Sequence, residues 1–363
     1  MPTPDWTDQP SPVRDGQSLD LAALGPYLRA HIPDLRGPLE VQQFGRGFSN
    51  LTYLLRVGDR ELVLRRGPPG VKIKSAHDMG REFRILSRLA VVWPKVPRPL
   101  VHCEDESVVG TPFYVMERVR GVVLRAKIPA GLDLSESRMR RISEATIDTL
   151  AEIHALDYRA VGLGDLGKPE GYVARQVNGW ADRYRKAQTD DVPQLEELEA
   201  FLRASMPEDS GSALVHNDFK YDNIVLDAQS LSRVVAVLDW EMATIGDPLM
   251  DLGTTLGYWI EADDPPVFQV MVFGPTNLPG NLRRMDLVRR YEARTGRDAS
   301  AILYYYAYAL FKLSVVAQQL YRRYKDGLTR EERYAAMLEG VRAVSSSALH
   351  AVAKGRIDRL SEP

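Results

Sequence analysis

The stretch LVHNDFKYDNIVLD, Leu214 to Asp227, sets one histidine, three aspartates, two asparagines and a lysine between apolar runs. A surface turn needs no such mixture to stay in solution. Shortly after it comes VVAVLDWEMATIGDPLMDLG, Val234 to Gly253, with a further group of carboxylates. Ile224 to Leu226 and Val234 to Leu238 read as two short strands about a turn, an arrangement that places Asn223 and Asp239 at adjacent strand ends. One amide oxygen and one carboxylate are a sufficient protein contribution for a hard divalent cation such as Mg²⁺, which keeps waters and phosphate oxygens in its shell. Asp218 then remains to accept a proton, and Lys220, two residues on, offers a cation.

That division of labour suits phosphoryl transfer, where a metal neutralises phosphate charge, a carboxylate orients the attacking hydroxyl and a cation stands near the transferring group. A zinc site is disfavoured, because His216 has no second His or Cys at ligand spacing and HExxH is missing. His154, beside Ile153 at the end of an amphipathic run, reads as a satisfied core or helix-end residue. Glu261-Ala-Asp-Asp264 reads as an exposed acidic loop, with a cationic-ligand site as its alternative.

Elements that could position these groups follow from periodicity. Leu51 to Val57 and Glu61 to Leu64 read as strands joined through Gly58-Asp59, a pair that favours a tight hairpin. Ser75-Ala-His-Asp78 has capping-box form ahead of Phe83, Leu86 and Leu89, predicting a helix. Pro112 to Val119 reads as a buried strand. Helices are predicted over Ser135 to Asp157, Tyr172 to Lys186, Gln194 to Ala204 and much of the chain after Arg283. The apolar run from Ala301 is broken by Lys312, Gln318 and Gln319, so it predicts a buried helix and no membrane span.

Composition agrees with a two-lobed globular protein. The chain has 363 residues, 44% hydrophobic and 26% charged, with a formal net charge of -2; a single core seldom organises so many residues. Lys+Arg (47) and Asp+Glu (49) nearly cancel, which argues against a nucleic-acid partner. One cysteine, Cys103, excludes an internal disulfide and suits a reducing, cytoplasmic setting. The proline-rich start, MPTPDWTDQPSPVRDGQ, predicts a mobile tail over residues 1–18 and resembles no signal peptide. A strand-rich lobe over 19–118 and a mainly helical lobe over 119–363 are expected after it.

HNDFKYDN resembles the catalytic loop of the protein-kinase-like superfamily, and the following LDW stands in the place of the metal-binding DFG. Trp240 and Glu241, with GDPLMDLG downstream, are similar to the aminoglycoside phosphotransferase family. The likeness extends through FGRGFSNLTY, ELVLRR, GREFRIL, PFYVMERVRG and the Phe311 helix. GFSNLTY, LVLRRGPPG and SAHDMGREFRIL resemble the branch associated with, or fused to, acyl-CoA dehydrogenases.

The resemblance implies a bilobal α+β fold, with a small antiparallel sheet plus one helix and a larger helical lobe. It assigns Asp218 as catalytic base and Asn223 and Asp239 as Mg²⁺ ligands, with His216 and Asp251 as supports. Gly45, Gly47, Ser49 and Asn50 belong to an implied hairpin loop over the phosphates, and Met116, Glu117 and Arg118 to an implied hinge at adenine. Glu82 is the helix carboxylate expected to pair with the strand cation. That cation is usually lysine; Arg65 aligns here, keeping the charge with a different reach, and Arg66, Lys72 and Lys74 are alternative cations.

The implied activity is an ATP- or GTP-dependent, Mg²⁺-dependent transfer of phosphate to a small-molecule hydroxyl. A hydroxy acid or hydroxyacyl-CoA is the expected acceptor, with a functional link to an acyl-CoA dehydrogenase; an aminoglycoside or amino alcohol is the alternative. A non-catalytic nucleotide-binding regulator and a metallohydrolase are the rivals from other classes.

Overall fold

A computed structural model describes residues 6–45, 50–68, 78–270, 272–329 and 332–362. The chain divides into two compact units. Unit 1 comprises Met1–Val123, Ala160–Leu163 and Asn223–Met242; unit 2 comprises Leu124–Arg159, Gly164–Asp222 and Ala243–Pro363.

In unit 1, α1 (Leu21–His31) precedes β1 (Leu39–Gln43), β2 (Leu51–Val57) and β3 (Arg60–Arg66). There follow α2 (Met79–Val92), β4 (Pro99–Cys103), the short α3 (Glu106–Val109) and β5 (Phe113–Glu117). The five strands form one antiparallel sheet in the order β1-β2-β3-β5-β4. The β2–β3 hairpin turns at Gly58-Asp59, as the sequence predicts, with Gly58 at φ +57°. Leu24, Leu28, Tyr53, Leu55, Leu62, Leu64, Phe113 and Val115 close the core between the sheet and α1.

Helix α2 starts later than the capping box suggests. Asp78 is its N-cap, its carboxylate accepting from the Arg81 amide at 2.8 Å; Ser75 lies outside the described residues. Composition also misjudges the stretch before α1. Ser11 exchanges two 2.8 Å backbone hydrogen bonds with Gln43, and the Tyr53 hydroxyl donates to the Gln17 carbonyl at 2.7 Å. Strand β1 is an edge whose unpaired backbone groups take a partner, and residue frequencies do not register that pairing.

A second small sheet in unit 1 pairs Ile224–Leu226 with Val234–Val237, Ile224 facing Val237. The Leu238 amide donates to the Asn223 carbonyl at 2.8 Å, so the predicted strand ends are neighbours. Val122 bridges to Leu226 by backbone bonds in both directions at 2.8 Å.

Unit 2 is helical: α4 (Glu136–Ala155), α5 (Tyr172–Ala187), α6 (Pro193–Ala204), α7 (Pro248–Gly257), α8 (Arg284–Thr295), α9 (Ile302–Lys325) and α10 (Met337–Lys354). A two-stranded ladder joins Ala213–Val215 to Thr244–Gly246. The apolar run from Ala301 is the core helix α9, flanked by α5, α6, α7 and α10. Among the described residues no helix is long and apolar enough to cross a membrane.

Helices α7 and α9 approach closely because Gly253 has no side chain: a Cβ there would lie 2.5 Å from the Tyr305 carbonyl oxygen. Backbone cannot yield as a flexible side chain does. Gly253→Ala is therefore expected to destabilise the protein by about 1–3 kcal/mol, read as a lowered urea midpoint; an unchanged midpoint contradicts this account.

Candidate active site

The site residues fall into two groups, one in each unit. In unit 2 the loop after Val215 carries HNDFK, and the buried Asp251 of α7 holds its start. Asp251 Oδ2 accepts from the His216 amide at 2.6 Å and Oδ1 from the Asn217 amide at 2.7 Å. His154 of α4 places Nε2 at 3.1 Å from Asp251 Oδ2 and Nδ1 at 2.8 Å from the Tyr291 hydroxyl. Nε2–H donating to the carboxylate and Nδ1 accepting from the phenol satisfy one tautomer. His154 is thus the bonded core histidine expected, with a further task in orienting Asp251.

Asn217 adopts φ +64°, a left-handed conformation that costs a non-glycine residue and persists only where neighbours impose it. Its amide is tied to Asp251, its carbonyl accepts from Lys312 Nζ at 2.8 Å, and its side chain meets the Tyr172 hydroxyl at 3.2 Å. Lys312 is buried in α9, and burial pushes its ammonium below the usual lysine range against the pull of Asp218 and Asp251. The sequence marks Lys312 only as an interruption in an apolar run; the structure makes it a brace for the loop.

Asp218 comes next. Its Oδ1 accepts from the Tyr258 hydroxyl at 2.7 Å, and its Oδ2 accepts from Lys220. Burial acts to raise this carboxyl, but the Lys220 charge and the hydrogen bonds from Lys220 and Tyr258 prevail and hold it below the usual aspartate range. An ionised carboxylate is the form that can take a proton. Asp218 N–H donates to His216 Nδ1 at 3.3 Å, and the His216 ring packs edge-on against Phe219. No sequence signal singles out Tyr258.

Unit 1 gathers Arg65 with the carboxylates of Glu82, Asp239 and Glu241. Arg65, on β3, donates through one guanidinium nitrogen to Glu82 at 2.7 Å and through the other to Asp239 at 2.8 Å. Arginine can bridge two carboxylates in this way, whereas an ammonium presents a single charged point. Glu82 is buried on α2 and also accepts from the Trp240 amide at 3.1 Å. Burial raises the Glu82 carboxyl even against Arg65, while Glu82 and Asp239 outweigh desolvation and raise Arg65 further. Arg66 is a structural cation, donating to the Val109 carbonyl at 2.6 Å and to the Tyr53 hydroxyl.

Asn223 and Asp239 sit at the ends of the small hairpin, Asp239 at φ +66° and its side chain a third exposed. Both offer hard oxygen donors, the chemistry a Mg²⁺ site requires; among the described residues no group of three His, Cys, Asp or Glu could hold a metal ion. Asn50 donates to Glu241, a residue not anticipated as a participant, and Glu241 also lies 3.6 Å from Arg65. The Gly45 carbonyl accepts from Arg14. Gly47, Ser49, Lys72 and Lys74 lie outside the described residues.

At the expected hinge, the Glu117 amide donates to the Arg98 carbonyl at 2.9 Å and the Arg118 amide to the Glu61 carbonyl at 3.2 Å. Both N–H groups are therefore committed to the protein, so a base could not take its donors from them. The side chain of Met116 is buried on the same strand.

Acidic Glu261 to Asp264 is not a free anionic surface. Arg284 donates to both oxygens of Asp264, at 2.7 Å through one nitrogen, and its amide donates to Glu261 at 2.6 Å. Arg283 holds Asp263 at 2.9 Å. The three carboxylates of this segment, expected as an exposed acidic loop, are engaged by internal pairing.

Two outcomes test this electrostatic account. Arg65→Met leaves Glu82 buried without its cation, and a loss of about 3–5 kcal/mol is expected from chemical denaturation; near-wild-type stability would mean the pair contributes little. Asp251 is held below the ordinary aspartate range, burial opposing and His154 and the loop amides prevailing. Its stabilising contribution is present above the unfolded-state value of about 3.9 and fades as pH falls below it. The stability difference between wild type and Asp251→Asn should accordingly shrink through that acid range; a difference independent of pH would contradict the assignment.

The comparisons agree with this geometry. Residues 40–288 match the phosphotransferase enzyme family. Acyl-CoA dehydrogenase family members 10 and 11 of Mus musculus are each 36% identical, over 319 and 340 residues, which is 87% and 90% of this chain. The chain spans only 30% and 42% of those two relatives' lengths. A crystal structure from Ralstonia eutropha JMP134, assigned provisionally as an aminoglycoside phosphotransferase, is 30% identical with a TM-score of 0.77, covering 93% of this chain and 99% of that one. The chain belongs to the phosphotransferase enzyme family and has a protein-kinase-like α+β fold.

Proposed function

We propose that this protein transfers the γ-phosphoryl group of ATP to the hydroxyl of a small acceptor, a hydroxy acid or hydroxyacyl-CoA. The observation carrying the proposal is the Asp218 carboxylate, held by Lys220 and Tyr258 on a loop that Asp251 anchors. Bound ATP with a divalent cation would supply the phosphoryl group and neutralise its charge. Asn223 and Asp239 are the residues that would hold the cation, and Arg65 the strand cation beside Asp239.

On the acceptor side, Asp218 accepts a hydrogen bond from the attacking hydroxyl and orients it. As the new P–O bond forms and the bond to ADP breaks, the hydroxyl proton passes to Asp218. Lys220 lies at that carboxylate and lowers the cost of charge beside it. Such a transition state demands positioning and charge neutralisation more than a strong base.

Two observations favour an acyl-type acceptor over an aminoglycoside. A polycation needs free carboxylates, and the acidic loop is engaged with Arg283 and Arg284. The relatives' names also place related sequences within acyl-CoA dehydrogenase family proteins. A phosphate ester turns a hydroxyl into a good leaving group, so a dehydrogenase-linked pathway has a chemical use for it.

The test is mass spectrometry of a pooled reaction with ATP or GTP, Mg²⁺, hydroxy acids, hydroxyacyl-CoAs, amino alcohols and aminoglycosides. A phosphorylated hydroxyacyl product is expected, with Asp218→Asn slowed at least about 100-fold while nucleotide binding persists. Phosphorylation of aminoglycosides alone would overturn the acceptor class, and equal turnover by Asp218→Asn would overturn the base.

A further inference from the structure

Tyr258 closes α7 at its C-terminal end and touches both acceptor-side groups. Its hydroxyl donates to Asp218 Oδ1 at 2.7 Å, while the Lys220 ammonium lies 4.9 Å from the centre of its ring. Lys220 itself bonds the other oxygen of Asp218. Base, cation and phenol form a closed triangle, each member held by the other two.

The ring has little freedom. Phe273 packs edge-on at 4.8 Å, and Tyr258 is buried. A small cleft beside the triangle is lined by Lys220, Tyr221, Tyr258, Trp259, Phe273 and Thr276. One wall of that cleft is thus the residue that orients the base.

We propose that Tyr258 is a positioning residue for phosphoryl transfer: its hydroxyl fixes the Asp218 carboxylate and its ring face fixes the Lys220 ammonium. This rests on the reading of Asp218 as the base. Asp218 Oδ1 accepts from Tyr258 and Oδ2 from Lys220, and a carboxylate has lone pairs to spare for a substrate hydroxyl. The phenol remains a donor, because burial and the neighbouring Asp218 charge push its ionisation well above the ordinary tyrosine range.

Tyr258→Phe removes one oxygen and keeps the ring over Lys220. With the acceptor found in the pooled reaction, kcat should fall on the order of 10- to 100-fold, with KM for ATP unchanged. A rise in acceptor KM at constant kcat would reduce Tyr258 to a cleft wall and overturn the positioning role.

A second readout needs no turnover. In full-length protein labelled with ¹³C at aspartate carboxyls, the Asp218 signal, assigned by its loss in Asp218→Asn, is followed against pH. The groups facing it are Lys220, Tyr258, His216 and the Lys312 ammonium. Removing the phenol should move the midpoint upward, since only the charged form gains from that donor. An unmoved midpoint overturns the proposal whether or not an acceptor has been found; a moved midpoint without any phosphorylated product counts against the proposed function instead.

Discussion

A single buried carboxylate organises the loop that carries HNDFK. Asp251 accepts two successive backbone amides, His216 and Asn217, and meets His154 as well. An ionised group without water is expensive unless its oxygens are filled with donors, and here both are. The donors come from α4 and from the loop, while the acceptor stands in the first turn of α7, where the helix dipole also favours negative charge. Fixing those two amides allows Asn217 its left-handed backbone, and the turn this creates delivers Asp218 to Tyr258 and Lys220. Lys312 completes the restraint from α9 by binding the carbonyl of the same residue.

Unit 1 meets the opposite problem, a cation among carboxylates. Arg65 bonds Glu82 and Asp239 with separate nitrogens, and Glu241 stands nearby. Arginine here is more than a substitute for the strand lysine common in kinase-like proteins, because its planar fork meets the two acceptors with separate nitrogens held in fixed geometry. Glu82 gains a second donor from the Trp240 amide, so the residue after Asp239 is tied to the same helix carboxylate. The position of Asp239 therefore depends on an ion pair as well as on the hairpin beneath it.

Much of the architecture was legible in the chain itself. Alternation and a Gly-Asp turn located β2 and β3; helical periodicity located α4, α5 and α6; and the lysine and glutamines inside the Ala301 run distinguished a core helix from a span. The HNDFKYDN and LDW segments named the chemistry because residue types at fixed spacing reflect local backbone geometry. Harder to read were contacts between distant segments. Ser11 pairs with Gln43 despite a composition typical of mobile tails, and the acidic Glu261 to Asp264 loop finds its arginines some twenty residues on.

What the sequence determined by itself was the set of elements and the identity of Asp218, Asn223 and Asp239 as candidates, since both follow from local patterns. Tertiary structure alone decided which side chains brace the site residues and the segments that carry them. Tyr258 on Asp218, Lys312 on Asn217, His154 on Asp251 and Glu241 on Asn50 join residues separated by 40, 95, 97 and 191 positions. Such pairings arise because buried polar groups must find partners wherever packing brings them, and packing is a property of the whole chain.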